Sequence, residues 1–260
     1  MNRITSMAAV AALAAGSLAL ATPTQAAPAQ ARTYKVTASI NETLAIGKET
    51  TLKVRGKVTP KAAGEKVVLQ QRVGNKKSWR STGTAKIKSN GSYVLKDDPS
   101  TPGSRQYRVL KPASNGIAKG FSKSLAVQVY SWARLASRVQ GPATNVAIGG
   151  VAIATDYYFP SLVTQTAGTP SSVEYTLGRK CLSLRSSYAL TDQSATGSTG
   201  SVTVSADGTV LANHALMLGT IVADEVLDLT GVYRIKFDLT TSATPVAVAA
   251  VAEPEVLCTR

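Results

Sequence analysis

The sequence repeats one pattern, short segments in which apolar and polar residues alternate, and this pattern restricts the possible folds more than any other feature. Residues 34–40 (YKVTASI) and 50–58 (TTLKVRGKV) are clear examples, and residues 66–73 and 124–130 are similar. A period of two is typical of strands with one buried face, because successive side chains point to opposite sides of a sheet. No convincing helical pattern interrupts these segments. Residues 32–130 are therefore predicted to form about seven short strands of an immunoglobulin-like β-sandwich.

Residues 131–260 also consist of short apolar segments separated by turn-forming residues. The most regular of them are residues 172–177 (SVEYTL), 201–205 (SVTVS) and 232–239 (VYRIKFDL). Asp207-Gly208 follows one of these segments and predicts a type I′ hairpin turn, and Asn90-Gly91 predicts a hairpin in the first half. The sequence therefore predicts an all-β protein of two sandwich domains, residues 32–130 and residues 131–260.

The N-terminal segment has the composition of a secretory signal peptide. Arg3 supplies a positive charge, residues 7–21 (MAAVAALAAGSLALA) are apolar, and small residues that suit a cleavage site follow at residues 24–31. The apolar run is shorter than the roughly 20 residues of a membrane span. Residues 1–31 are therefore predicted to be a signal peptide and linker. The mature protein is expected to be extracellular or associated with the cell wall, without membrane insertion.

The chain contains two cysteines, Cys181 and Cys258, and one histidine, His214. An even number of cysteines in an exported protein favours a disulfide. A zinc site or a thiol-based catalytic site would need partner ligands that a chain with one histidine does not supply. We therefore predict a disulfide between the two cysteines of the second domain.

Charge is divided unevenly between the two predicted domains. Residues 32–130 contain 20 Lys and Arg against 5 Asp and Glu, a net charge of +15, whereas residues 131–260 contain 8 against 10. A surface this basic attracts anionic partners. The candidates for contact with an anionic polymer are Lys53, Arg55, Lys57, Lys76, Lys77 and Arg80. The alternative is that these residues only keep a sheet face solvated.

The first domain, most clearly in residues 54–96, resembles the immunoglobulin-like modules of secreted actinobacterial proteins. The family pattern G-x-V-x-P, G-x-x-V-x-L-Q, W, G and N-G-x-Y begins here at Gly56 and ends at Tyr93, and a Y-R-V strand follows at residues 107–109. The resemblance extends over about 95 residues. It implies the fold of the first domain and a role as a spacer or an adhesive unit.

The second half resembles the NPCBM family, carbohydrate-binding modules that are attached to bacterial glycosidases. The matching segments are residues 174–177 (EYTL), 201–208 (SVTVSADG), 227–237 (LDLTGVYRIKF) and 253–254 (EP). The tryptophan that usually precedes the last motif in the family has no counterpart here, so its ligand contacts are not transferred. The resemblance implies a jelly-roll sandwich of the carbohydrate-binding-module type, without catalytic activity.

Recognition of a sugar needs an aromatic ring that can pack against its C–H face and polar groups for its hydroxyls. The candidate residues for ligand binding are Tyr157, Tyr158, Asp156, Trp132 and His214. Alternation along a strand places Tyr157 and Phe159 on one face and Tyr158 on the other, so at least one ring is expected in the core. For His214, a solvated loop or strand end is favoured over contact with a ligand.

The sequence offers little support for catalysis or for a bound metal. No G-x-S-x-G nucleophile motif occurs, and the densest acidic group, Asp224, Glu225 and Asp228, is predicted to be a charged turn. Asp192 and Asp207 could contribute oxygen ligands to calcium, but plain turn formation is the favoured explanation for both. No cofactor is predicted.

These features favour a secreted, non-catalytic protein that binds an extracellular glycan or an anionic cell-wall polymer. The alternative is a structural or protein-binding adhesin. Nucleic acid is not expected as a partner, because the sequence shows no interleaving of basic and aromatic residues and no nucleic-acid-binding motif.

Overall fold

The computed structural model describes residues 32–260, so the predicted signal peptide and linker lie outside the described residues. Within residues 32–260 the fold is all-β, as predicted, and its one helical element is a single 3-10 turn at Leu135–Ser137. No helix in this part of the chain has the length and apolar character needed to cross a membrane.

The first half contains ten strands. They are β1 (Lys35–Val36), β2 (Ser39–Ile40), β3 (Leu44–Ile46), β4 (Leu52–Thr59), β5 (Lys66–Val73), β6 (Arg80–Lys86), β7 (Ser92–Asp97), β8 (Gly103–Lys111), β9 (Gly120–Phe121) and β10 (Leu125–Arg134). One sheet places β4 between β7 and the short strands β1 and β2. The other has the order β3-β10-β8-β5-β6, with β9 paired to β8. This is an immunoglobulin-like arrangement of two sheets.

Alternation along these strands builds the first core. In β4 the side chains of Leu52, Val54 and Val58 are buried, while the residues between them face outwards. Tyr107 and Val109 of β8 pack against them from the opposite sheet. The alternation in the sequence therefore predicted the inward face correctly.

The hairpin predicted at Asn90-Gly91 does not form. β6 pairs with β5, and β7 pairs with β4, so this turn carries the chain from one sheet to the other. Gly91 has a φ of 82°, which suits the turn but does not require that the flanking strands pair. A short turn signal specifies the reversal of the chain, and tertiary packing decides which strands pair.

The second half contains another ten strands. They are β11 (Gln140–Thr144), β12 (Val146–Ile153), β13 (Asp156–Thr164), β14 (Ser171–Thr176), β15 (Cys181–Leu190), β16 (Thr199–Ala206), β17 (Thr209–Met217), β18 (Ile221–Asp228), β19 (Arg234–Thr241) and β20 (Ala249–Cys258). β13 to β20 form two sheets in the orders β13-β20-β15-β18 and β14-β19-β16-β17, the strand order of a jelly roll. β12 extends the first sheet and β11 the second.

β10 joins the two halves. Residues 125–129 of this strand pair with β8, and residues 131–134 pair with β20. The predicted domain boundary between residues 130 and 131 thus falls inside a continuous strand. Separate buried clusters lie on either side of it, one that contains Tyr107 and another that contains Phe237.

The predicted disulfide is present. Cys181 of β15 and Cys258 of β20 are direct partners across the two strands and are bonded to each other. The bond closes a loop with a sequence separation of 77 residues inside the jelly roll.

Candidate functional site

A line of three β-bulges crosses the sheet that contains β13, β20, β15 and β18. The extra residue of each bulge lies at Phe159-Pro160 in β13, at Glu253-Pro254 in β20 and at Ala223-Asp224 in β18. The first two are neighbours, because Leu162 of β13 pairs with Val251 of β20. A bulge bends its strand and re-aims nearby side chains. Three bulges in a line are therefore expected to bend this sheet where they lie.

The local sequence explains two of these bulges. Pro160 and Pro254 have no backbone N–H, and proline within a sheet is confined to strand starts, edges and bulges. Glu253 and Asp224 adopt positive φ values of 41° and 49°, which are uncommon for residues with a Cβ. Backbone strain of this kind persists only where the surrounding structure holds it, and it is concentrated at functional sites.

The end of the β12–β13 hairpin packs on the outer face of this sheet, next to the bulges. Its inward side chains include Ile153 and Tyr158. They pack against three buried alanines of the neighbouring strands, Ala189, Ala250 and Ala252. The small size of alanine lets the hairpin backbone approach β15 and β20 closely.

A cleft of about 250 Å³ opens where the bulges meet this hairpin. We call it the bulge cleft. It is lined by Arg134, Tyr158, Arg185, Ser186, Ser187, Asp224, Ala252, Glu253 and Glu255. Two hydrogen bonds hold its shape. The Phe159 backbone N–H donates to Glu253 Oε1 at 3.2 Å, and the Asp224 backbone N–H donates to Ser187 Oγ at 3.0 Å.

Three charged side chains of the bulge cleft lie side by side on adjacent strands. Glu255 is the direct cross-strand partner of Arg185 on one side and of Arg134 on the other. Arg185 Nε donates to Glu255 Oε2 at 2.7 Å, and the Arg185 guanidinium carbon lies 4.2 Å from the ring centroid of Trp132. The candidate residue Trp132 thus supports a cleft arginine by a cation–π contact, and it is not itself part of the lining.

Of two other candidates, Tyr157 lies on the outward side of the hairpin, away from Tyr158, and Asp156 begins β13 directly opposite Ile153. The Tyr157 side chain is 72% exposed, and a Cβ added at Gly150 would collide with its hydroxyl end. The ring therefore rests on glycine and leaves most of its surface open to solvent. Asp156 is exposed, and Phe159 is 53% exposed. Tyr157 and Phe159 are thus exposed on the same face of β13, and we call them the aromatic rim.

His214 joins the two sheets of the jelly roll and lies outside the bulge cleft. Its Nε2 is 3.0 Å from Glu225 Oε1, and its ring stacks on Tyr188 with the centroids 5.5 Å apart. Burial raises the pKa of the Tyr188 phenol, a hydrogen bond from Ser186 lowers it in part, and the Glu225 carboxylate raises it further. His214 therefore lies in a strand, β17, and packs between the two sheets. It is not in a solvated loop, and it does not line the bulge cleft.

The two carboxylates considered for calcium both accept hydrogen bonds from the backbone. Asp192 Oδ1 accepts from the Ala154 N–H at 2.9 Å. Asp207 accepts from the N–H groups of Tyr233 and Arg234 at 2.9 and 2.8 Å, and these bonds lower its pKa. Asp207 and the glycine after it both have positive φ, as a type I′ turn requires. Within residues 32–260 no group of three His, Cys, Asp or Glu side chains is placed to hold a metal ion.

The six basic candidates fall on two separate surfaces. Lys53, Arg55 and Lys57 are exposed on the outer face of β4, with Lys35 of β1 and Lys96 of β7 beside them. Lys53 lies directly opposite Lys96. None of these five side chains forms an ion pair with another described residue. We call this surface the cationic face.

Lys76, Lys77 and Arg80 lie at one end of the first sandwich. Lys76 and Arg80 line a second cleft there, and Lys77 is exposed beside them. Trp79, which these residues flank in the sequence, has instead the Arg108 guanidinium carbon 4.2 Å from its ring centroid. The row of cations predicted from the sequence is therefore divided between a sheet face and a sandwich end.

Most of the charged residues that line the bulge cleft could not be recognised as site residues from the sequence. The predicted turn at Asp224 is wrong, because this residue lies inside β18, in the bulge. Arg185, Glu253 and Glu255 were not candidates. The available signal was a proline inside a strand-like segment, which indicates a bulge.

No protein-family model matches the sequence, and no curated protein matches it. The function is therefore inferred from the bulge cleft and from the distribution of charge.

Proposed function

We propose that this protein is an exported, non-catalytic binding protein whose second sandwich recognises an extracellular glycan at the bulge cleft. The observation that carries the proposal is the composition of this cleft: carboxylates, guanidinium groups, hydroxyls and a tyrosine ring line about 250 Å³. Carboxylates accept hydrogen bonds from sugar hydroxyls, guanidinium groups donate to them, and aromatic rings pack on sugar C–H faces. The likeness of residues 174–254 to NPCBM modules supports the same class of ligand.

The charged residues of the cleft have different roles in this proposal. Glu255 is neutralised by Arg185 and keeps that guanidinium in place. Asp224 and Arg134 form no ion pair with another described residue, so their charged groups are available to a ligand. The cleft volume lies close to the lower end, roughly 300 Å³, of pockets that take small molecules. A single sugar unit is therefore the expected occupant, with the aromatic rim in contact with a neighbouring unit.

Two observations support export. The Cys181–Cys258 bond is of a kind that persists in oxidising compartments. Residues 1–31 have the composition of a signal peptide. In this proposal the cationic face of the first sandwich also helps to hold the protein on anionic cell-wall polymers. This electrostatic attraction acts over about one Debye length.

The test compares wild-type protein with Asp224→Asn and Asp238→Asn on a glycan array and on purified peptidoglycan. Asparagine tolerates the positive φ at this position, so Asp224→Asn removes the charge and keeps the bulge. Asp238 lies on β19 in the opposite sheet and is paired with Lys236, which makes it a matched control. Loss of a charged hydrogen bond is expected to weaken binding about tenfold for Asp224→Asn, and Asp238→Asn should bind as wild type does.

Equal binding by both variants, or no retention of wild-type protein on either material at low salt, would contradict the proposal and favour the protein-binding adhesin. Soluble saccharide released from peptidoglycan would contradict the non-catalytic part. In that case Asp224→Asn would show whether this carboxylate takes part in the reaction.

A further inference from the structure

β8 carries two inward-facing cations, Arg105 and Lys111, at opposite ends of the first sandwich. Alternation along this strand directs both side chains between the sheets, together with Tyr107 and Val109. Their exposed fractions are only 6% and 1%. A buried charge is costly unless a partner compensates it, so the surroundings of the two cations can be compared directly.

Lys111 is compensated within the chain. Its Nζ lies 2.6 Å from Glu65 Oε2 and donates to Ser114 Oγ and to the Pro112 carbonyl at 2.9 and 2.8 Å. The Tyr34 ring centroid lies 4.2 Å away. The ammonium group therefore has an anion, two further acceptors and an aromatic face.

Arg105 has no such compensation. Its Nη1 donates to Gln71 Oε1 at 2.6 Å, and its Nη2 donates to the Thr101 carbonyl at 2.8 Å, both neutral acceptors. Its Nε is buried and has no hydrogen-bond acceptor within range. Within residues 32–260 no Asp or Glu side chain forms an ion pair with Arg105. The Asp97 carboxylate instead accepts hydrogen bonds from the hydroxyls of Tyr107 and Thr82, at 2.6 and 2.5 Å.

Arg105 lines a cleft of about 440 Å³ at this end of the sandwich. Three more cationic residues line it, Lys76, Arg80 and Arg260, and no acidic residue does. Ser78, Ser100 and Thr101 line it too. An adjoining cleft of about 530 Å³ shares Lys76 and Arg260 with it, so that the two form a continuous groove.

We propose that this groove, which we call the oxyanion groove, binds the phosphate groups of an extracellular phosphodiester polymer, with Arg105 at its floor. This site is separate from the bulge cleft and does not depend on glycan binding there. The planar guanidinium fork of arginine matches tetrahedral phosphate oxygens, and hydroxyl donors complete their coordination. The groove is larger than a phosphate ion, which leaves room for the sugar or polyol units on either side of it.

The experiment measures binding of inorganic phosphate and of a poly(glycerol phosphate) chain to the full mature protein by calorimetry, at low and moderate salt. Lys76→Gln with Arg80→Gln removes two exposed cations from the groove. Lys119→Gln with Lys123→Gln removes two exposed lysines of the same sandwich that lie outside both the groove and the cationic face, and it is the matched control for net charge. Poly-glutamate serves as a polyanion without phosphate.

The groove variant is expected to bind the polymer at least about tenfold more weakly than wild type, and the control variant within about twofold. Inorganic phosphate should compete with the polymer for wild-type protein. Arg105→Lys keeps the positive charge but removes the planar guanidinium group, and it should also weaken phosphate binding. Circular dichroism checks that this variant is folded.

Equal losses in the two double variants would overturn the proposal, because they would show general attraction to a basic surface. So would poly-glutamate binding as tightly as the phosphodiester polymer, or failure of inorganic phosphate to compete with it. Phosphate binding without any binding of the polymer would overturn the polymer as ligand. Each result is independent of the Asp224→Asn test, because the two sites share no residues.

Discussion

An ordinary β-sandwich has an apolar core between two regular sheets, and each sandwich of this protein departs from that plan in a different way. The first buries two cations, Arg105 and Lys111, and has a net charge of +15. The second has a disulfide and three aligned bulges in one sheet. The candidate site of the first sandwich, the oxyanion groove, is therefore defined by its positive charge. The candidate site of the second, the bulge cleft, is defined by the aligned bulges. Each difference can be tested by a change that affects one half only.

Removal of the disulfide is expected to have the largest effect and to act on the second sandwich. Closing a loop of this length stabilises by about 4.5 kcal/mol in the chain-entropy estimate. Cys181→Ala with Cys258→Ala should lower the melting transition of the jelly roll, as measured by scanning calorimetry. The transition of the first sandwich should stay in place, because its core contains no cysteine. Equal shifts of both transitions would show instead that β10 couples the two halves into one cooperative unit.

The buried ion pair is the corresponding weak point of the first sandwich. Glu65→Gln leaves Lys111 buried without an anion, whereas Lys111→Met leaves Glu65, which is 29% exposed and can be hydrated. Removing one partner of a buried pair is strongly destabilising, and replacing the buried charge by an apolar side chain is much less so. We expect Glu65→Gln to lower Tm clearly more than Lys111→Met. The opposite order would mean that the lysine stem, not its charge, supports this end of the core.

The same pair makes the first sandwich sensitive to acid. Hydrogen bonds from Lys111 and then Ser114 lower the pKa of Glu65 below its ordinary value of 4.5. A carboxyl whose pKa is lowered by folding contributes stability above its unfolded pKa, and this stability is lost as pH falls through the folded value. The Tm of wild-type protein should therefore fall below about pH 4.5, and that of Glu65→Gln should fall less. Parallel pH profiles for the two proteins would contradict this assignment.

The regular parts of both halves could be predicted from the sequence, and the irregular parts could not. The alternation in β4 and the Asp207-Gly208 turn depend on local rules, a period of two and a preference for positive φ. The bulge cleft depends on register between strands that are distant in the chain, such as Ser187 with Ala252. Local patterns do not encode such alignment. The same reason explains why Arg105 and Arg80 were not recognised as neighbours.

The aromatic rim of the second sandwich can be disturbed without changing an aromatic residue. Gly150→Ala would push the hydroxyl end of Tyr157 aside, and since this is the end of a flexible side chain, the fold should be kept. Gly149→Ala meets only ordinary contact with Val163 and is the matched control. We expect Gly150→Ala to weaken glycan binding about threefold to tenfold, in the range of an aromatic contact. Equal binding by the two variants would exclude the Tyr157 ring from the glycan site.

The smallest expected effect belongs to the cationic face of the first sandwich. Lys53 and Lys57 are exposed and unpaired with any described acidic residue, so salt screens them over about 8 Å at physiological ionic strength. Lys53→Gln with Lys57→Gln should reduce retention on anionic cell-wall polymer about twofold at low salt and not at high salt. Lys180→Gln with Lys236→Gln changes the net charge equally on the second sandwich and should leave retention unchanged. If both pairs reduce retention alike, the total charge of the protein decides adhesion, and the uneven distribution of charge between its two halves has no part in it.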